Sequence, residues 1–260
     1  MSARLDDFSL DFFSLKGKIA IVTGGNTGLG QAYSVALAKA GADLFVVTHG
    51  KNWAETRELV EKEGKRVEFF QADLANRDSI QELVKACLSA YGRIDILVNN
   101  AGTIRRSPLV EYKPEDWDAV IDINLNAVYF LSQEAAKVMV EQKSGKIINI
   151  ASMLSFQGGK FVPPYTASKH AVAGLTRAFA NELADKGIQI NAIAPGYVET
   201  ANTAPIRADE QRNKEILSRI PAGRWAAPAD LMGAVVFLSS QASDYMNGHI
   251  LAIDGGWLAR

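Results

Sequence analysis

A hydroxyl, a phenol and an amine stand within eighteen residues of one another: Ser152, Tyr165 and Lys169. Tyr165 and Lys169 are four apart at the start of a stretch patterned as a helix, so they share a face about one turn apart. A free phenol ionises at about pH 10, too high for acid–base work at neutral pH. An ammonium at roughly 5 Å, with an effective dielectric of about 20, favours the phenolate by about 3 kcal/mol. That is about two pKa units, enough to bring the phenol near the working range of a general acid or base. The same Tyr-x-x-x-Lys spacing also occurs as an ordinary pair on an amphipathic helix. The surrounding elements decide which it is.

Those elements alternate. Apolar runs at Lys18–Gly24, Leu44–Val47, Val67–Phe70, Ile94–Val98, Lys146–Ile150, Ile188–Ile193 and His249–Ile253 have the length and composition of buried strands. Between them lie helical patterns over about 28–40, 53–63, 79–91 and 115–142, and one that runs from the Tyr165 region to Lys186. Gly41, Gly64, Gly92 and Gly187 stop four of them. This alternation predicts one α/β domain, a doubly wound parallel sheet of seven strands with helices on both faces. Residues 1–15 form an arm ahead of it. The one long irregular stretch, about 200–227, surrounds a polar helical segment and is expected to cover the site as a lid.

Composition excludes several roles. With 28 basic and 29 acidic residues the net charge is -1, which disfavours nucleic acid and anionic membranes as partners. No apolar stretch approaches the roughly 18 residues needed to span a bilayer. The first fifteen residues carry three Asp and no continuous apolar run, unlike a signal peptide, so a soluble cytoplasmic protein is expected. The single cysteine, Cys87, shares a helical spacing with Ile80, Leu83, Val84 and Tyr91 and reads as a buried thiol. Three scattered histidines offer no metal site.

Thr23-Gly-Gly-Asn-Thr-Gly-Leu-Gly30 joins the first strand to the first helix. Gly24, Gly28 and Gly30 allow a tight turn and a close approach of backbone to a pyrophosphate at the helix N-terminus. Asn26, Thr27 and Leu29 belong to the same cradle. The end of the second strand, which selects between the two nicotinamide dinucleotides in such folds, is Thr48-His49-Gly50-Lys51 and has no carboxylate. Thr48 could serve a ribose hydroxyl, whereas His49 and Lys51 could attract a phosphate. Asp73, with Leu74 beside it, could accept a hydrogen bond from the adenine amine or simply cap a helix. Asn100, Ala101 and Gly102 follow the fourth strand, where backbone could lie against adenosine.

Taken together and in chain order, the glycine turn, Asn99-Asn-Ala-Gly102 and Ser152…Tyr165-x-x-x-Lys169 resemble the short-chain dehydrogenase/reductase family. The resemblance runs from about Leu15 to the last residues and includes Asn124, Pro195-Gly196 and Asp254-Gly-Gly256. It implies a Rossmann-like fold, NAD or NADP as cofactor, and the catalytic set Asn124, Ser152, Tyr165 and Lys169. It further implies that Tyr165 exchanges a proton with the carbonyl or alcohol oxygen, which Ser152 holds. Lys169 would lower the Tyr165 pKa and bind the nicotinamide ribose, and Asn124 would hold a water leading to solvent. Pro195, Gly196, Val198 and Thr200 would meet the nicotinamide end.

Ala101–Arg106, Ile150–Gly159, Ile206-Arg-Ala-Asp209 and Asp254–Arg260 are similar to a branch of the family that acts on keto sugar acids. That resemblance implies reduction of a 5-keto group to give 2-keto-3-deoxygluconate, usually with NAD, in uronate breakdown. Arg105 and Arg106 could bind the substrate carboxylate, and Met153 and Gln157 could line its pocket. Homotetramers are the expectation for such proteins, and the apolar ending Gly-Trp257-Leu258 suggests burial against another subunit. A gluconate 5-dehydrogenase and a 3-oxoacyl reductase are rival enzymes. A dinucleotide-binding regulator or scaffold is the rival from another class.

Overall fold

The computed structural model describes residues 8–260. Residues 1–7, and with them part of the expected arm, lie outside the described residues. From Phe8 the chain makes a short 3-10 turn, Leu10–Phe13, and then buries Leu15, whose N–H donates to the Ala40 carbonyl at 2.8 Å.

Seven strands form one parallel sheet: β1 Ile19–Thr23, β2 Asp43–Thr48, β3 Val67–Gln71, β4 Ile96–Asn99, β5 Gly145–Ile150, β6 Ile188–Pro195 and β7 Ile250–Ile253. Their order is β3-β2-β1-β4-β5-β6-β7. The helices are α1 Gly28–Ala40, α2 Ala54–Glu61, α3 Arg77–Tyr91, α4 Pro114–Ile121, α5 Ala127–Gln142, α6 Pro163–Leu183, α7 Ala204–Ala208, α8 Glu210–Arg219 and α9 Met232–Ser239.

The apolar strand runs follow from burial on both faces. Ala20 and Val22 pack with Leu44 and Val46 in one core layer, beneath α1, α2 and α9. Their neighbours Ile19 and Ile21 pack with Phe45 and Val47 in the other, beneath α3 and α5. A strand that alternates its side chains between two dry layers is apolar at most positions, and polar residues buried in it are hydrogen-bonded, as Asn99 is to Asn149 at 2.8 Å. Strand order reverses between β1 and β4, which opens a crevice at their carboxyl ends where parallel sheets take ligands.

Two elements differ from the sequence expectation. The helix expected over 115–142 is broken into α4 and α5 by a π-helical turn, Asp122–Asn126. Such i→i+5 turns arise where side chains need re-aiming and concentrate at functional sites. The helix α9 was invisible to periodicity because Met-Gly-Ala-Val-Val-Phe-Leu-Ser is apolar almost all round. Cys87 is fully buried, and its burial pushes the thiol up to about 12, which leaves it inert. Among the described residues no group of metal-ligating side chains forms, and no helix is long and apolar enough to cross a membrane.

Candidate active site

At the end of β1 the chain turns on Gly24 and Gly28, whose φ angles of 61° and 53° lie in the left-handed region. A Cβ at Gly30 would strike the Gly24 carbonyl and stand 2.5 Å from the Asn100 amide. The first turn of α1 therefore lies against the loop that precedes it. Thr27 provides no side-chain cap, so the leading amides of α1 stay free to meet an anion. The loop after β4 is laced to β1: Asn100 and Ala101 donate their N–H groups to the Thr23 hydroxyl, at 3.0 and 2.9 Å, and the Asn100 amide donates to the Thr23 carbonyl at 2.9 Å.

Ser152 begins a 3-10 turn, Met153–Ser155, and its hydroxyl oxygen accepts the Leu154 N–H at 3.1 Å. The Ser155 hydroxyl donates to the Lys169 carbonyl at 2.7 Å and so ties this turn to α6. Pro163 starts α6 at the position where a missing N–H costs nothing. On that helix, one turn apart, stand Tyr165 and Lys169, with the Lys169 amine 5.5 Å from the Tyr165 ring centroid. Lys169 is 5% exposed, and its amine donates to the Ile150 carbonyl at 2.6 Å. Burial holds it down to about 8 from 10.5.

The Tyr165 phenol departs from the sequence expectation. Burial is the dominant influence and pushes it up, with the Ser152 hydroxyl and then the Arg106 guanidinium pulling it back down. The Lys169 amine, expected to lower the phenol, is itself desolvated and donates to the Ile150 carbonyl.

Asn124 is fully buried in the π turn. Its carbonyl oxygen accepts the Thr103 N–H at 2.8 Å, and its amide donates to the Thr103 carbonyl at 2.9 Å and to the Ser168 hydroxyl at 3.4 Å. The side chain thus clips the loop after β4 to α6. An uninterrupted helix would present position 124 differently, which is the local use of the π turn.

A cavity of about 810 Å³ joins these parts. It is lined by Gly24, Thr27, Gly28, Leu29 and Gly30 at one end and by Ser152, Tyr165 and Lys169 at the other. Asn100, Ala101, Gly102, Pro195, Gly196, Val198 and Thr200 also line it, as do Arg106, Met153 and Gln157. A dinucleotide fits this shape, with a glycine cradle for the pyrophosphate and a polar end for the nicotinamide.

Other expected residues lie elsewhere. Arg105 is not on the cavity wall; it turns outward to Asp116, at 3.5 Å, and to the Thr103 hydroxyl. The arginine pair is therefore split, and only Arg106 faces the site. Asn26 donates to the Asn52 side chain at 2.9 Å and fixes the neighbouring loop. The Thr48 hydroxyl donates to the Gly50 carbonyl at 2.8 Å, and His49 is exposed, its carbonyl accepting from the Gln71 amide. The Asp73 carboxylate accepts the Ala75 N–H at 3.0 Å, while Asn76 caps α3 and Leu74 is buried in the core. Trp257 does not need another subunit for burial: it is 5% exposed and packs within its own chain against Met153, Ile216, Ile220 and Trp225.

Sequence reasoning missed Ser155, Arg212 and Arg219, of which the two arginines line the cavity from α8. It also missed Phe161, which takes a φ of 66°, rare for a bulky residue. The Phe161 carbonyl accepts the Ser107 N–H at 3.0 Å and joins two loops at the cavity mouth.

Residues 18–211 match the family described as short chain dehydrogenase. The chain is 56% identical over 250 residues to a 2-dehydro-3-deoxy-D-gluconate 5-dehydrogenase of Bacillus subtilis, covering 96% of this chain and 98% of that protein. It is 55% identical to the protein of the same name from Escherichia coli over 255 residues, 96% and 99% of the two chains. Among solved structures, a gluconate 5-dehydrogenase from Burkholderia cenocepacia in complex with NADP and tartrate superposes with a TM-score of 0.93. Its sequence identity is 37%, over 97% of this chain and 100% of that one.

Proposed function

We propose a reaction for a chain that belongs to the short chain dehydrogenase family and is an NAD(P)-dependent oxidoreductase. It reversibly reduces the 5-keto group of 3-deoxy-D-glycero-2,5-hexodiulosonate to 2-keto-3-deoxy-D-gluconate. The observation that carries this reading is the single cavity holding both the glycine cradle and the Ser152, Tyr165 and Lys169 side chains. The names of two relatives at 56% and 55% identity support the substrate.

When bound, the nicotinamide supplies the hydride. Tyr165 gives its proton to the C5 oxygen, and a buried, un-ionised phenol is the form needed for that step. Ser152 uses its oxygen to accept the Leu154 N–H and its hydrogen to meet the Tyr165 oxygen, and it would turn that hydrogen to the substrate oxygen beside the phenol. Lys169 spends one donor on Ile150 and keeps the others for the ribose hydroxyls and for the phenolate that proton transfer creates. Asn124 holds the loop carrying Arg106 in register with α6, and the residues over 200–227 close over the substrate as a lid. Arg106, Met153 and Gln157 contact substrate; Arg105 does not. The cofactor is NAD, with Thr48, His49 and Asp73 meeting its adenosine. We also propose a cytoplasmic homotetramer, for which exposed Trp117 on α4 and Tyr129 on α5 provide an apolar face.

Purified protein should be tested with NADH and NADPH against 2,5-diketo, 5-keto and 3-keto sugar acids. Fastest oxidation of NADH by the 2,5-diketo acid supports the reading. Preference for 5-ketogluconate moves the assignment to a gluconate 5-dehydrogenase. Dinucleotide binding without turnover of any acid overturns the enzymatic reading in favour of a regulator or scaffold.

A further inference from the structure

We propose that α8 carries the anion-recognition subsite of this cavity, where the Arg219 guanidinium, laid on the face of Trp257, holds the substrate's carboxylate. The inference rests on the sugar-acid reading above and extends it to the residue that reads the acid group.

Four residues of α8 line the cavity: Arg212, Glu215, Ile216 and Arg219. They recur at i, i+3, i+4 and i+7, which is one face of the helix. Two anchors fix that face inward. Ile216 is 2% exposed and packs with Met153, Trp225 and Trp257, and the Trp225 indole N–H donates to the Asn213 side chain at 2.8 Å. Met153 follows Ser152 directly, so the aromatic floor under α8 is continuous with the catalytic turn.

The two arginines differ. Arg212 is paired with Glu215 on its own helix at 3.0 Å. Arg219 has its guanidinium carbon 4.1 Å from the Trp257 ring centroid. Stacking on a buried indole fixes the plane of a guanidinium without using its N–H donors, which point outward in that plane as a fork for a carboxylate. Tyr197 stands edge-on to Trp257, with centroids 4.9 Å apart, and lines the same cavity. Burial pushes the Tyr197 phenol up, and the nearby charges of Arg212 and Arg219 pull it back down.

Of the other cations that line the cavity, Lys169 stands beside Tyr165 at the reacting end. Arg106 donates to the Asn202 carbonyl at 3.4 Å, and its charge acts on the Tyr165 phenol, so it belongs to the reacting end. Lys160 is exposed, as Arg219 is, but it sits on the loop before α6 and among the described residues is laid on no aromatic ring, whereas Arg219 lies over Trp257. In a 5-keto hexonate the acid carbon lies four carbon–carbon bonds from the reacting carbonyl. A cation beside Tyr165 therefore meets the keto group, and the acid group falls to a cation held elsewhere on the cavity lining, which on α8 is Arg219.

The test compares wild type, Arg219→Gln, Arg219→Lys and Lys160→Gln, with cofactor affinity as the check on folding. Substrates are the keto sugar acid and its uncharged primary amide. Arg219→Gln should raise KM for the acid about tenfold, the worth of one charge-assisted bidentate contact, with kcat unchanged. KM for the amide should not move, Arg219→Lys should recover only part of the loss, and Lys160→Gln should behave as wild type. An unchanged KM for the acid in Arg219→Gln, or an equal rise for acid and amide, overturns the proposal. Calorimetric titration of D-gluconate into cofactor-loaded protein provides an arm that needs no turnover. If wild type reduces no sugar acid, the reaction proposed above fails, and weaker gluconate binding by Arg219→Gln still decides the subsite.

Discussion

Replacing Lys169 with methionine should make the protein more stable at neutral pH while removing its activity. Lys169 is 5% exposed, and burial lowers its amine to about 8 from 10.5. The folded chain therefore gives up this proton more readily than the unfolded chain, so a charged Lys169 opposes folding. The full penalty applies below pH 8 and fades as the pH rises from 8 towards 10.5. The gap between those values is worth about 3 kcal/mol at pH 7 and about 1.4 kcal/mol at pH 9.5. Against this, the Ile150 carbonyl loses its 2.6 Å partner, which costs about 1–2 kcal/mol at every pH. Methionine nearly matches the volume of the lysine stem and adapts to its path. The variant should be about 1–2 kcal/mol more stable than wild type at pH 7, and the advantage should vanish by about pH 9.5. Urea unfolding of both proteins without added cofactor, at fixed chain concentration and several pH values, measures this directly. A stability difference that does not change with pH would refute the argument, because Lys169 would then not be the perturbed group.

Two further substitutions test the scaffold. Gly30→Ala places a Cβ against the Gly24 backbone, which cannot yield as a flexible side chain would. It should cost about 1–3 kcal/mol in thermal unfolding and weaken dinucleotide binding by fluorescence titration, whereas Gly158→Ala, with nothing nearby, should be neutral. Asn124→Leu leaves the Thr103 N–H and carbonyl without partners. It should lower stability by about 1–3 kcal/mol, and turnover should fall more than cofactor affinity as the Arg106 loop loosens. Equal losses in both readouts would contradict the clipping role.

The sheet was legible because its strands are short apolar runs, dry in the middle of the sheet and part-exposed at its edges, and the bounds of α1 match the pattern to the residue. The glycine cradle was legible for the same reason: its spacing serves a backbone need that few other residues meet. The π turn was not, since the pattern of residues 115–142 suits a continuous helix and only the pull of Thr103 and Ser168 on Asn124 distinguishes the register. Arg105 and Arg106 are neighbours in sequence with opposite directions in space, and that was beyond a one-dimensional reading. Arg219 escaped notice because its meaning depends on Trp257, which arrives from the far end of the chain. At Tyr165 the helical spacing showed the nearby amine but not the burial that pushes the phenol up and the Lys169 amine down.

The central claim is that Tyr165 moves the proton, and Tyr165→Phe tests it with one atom removed. Cofactor affinity and steady-state reduction of the keto acid should be measured on the same preparation. The account predicts unchanged dinucleotide binding and a turnover lower by about 10²–10⁴, the contribution of a positioned general acid. Turnover retained within that variant, with binding intact, would contradict it.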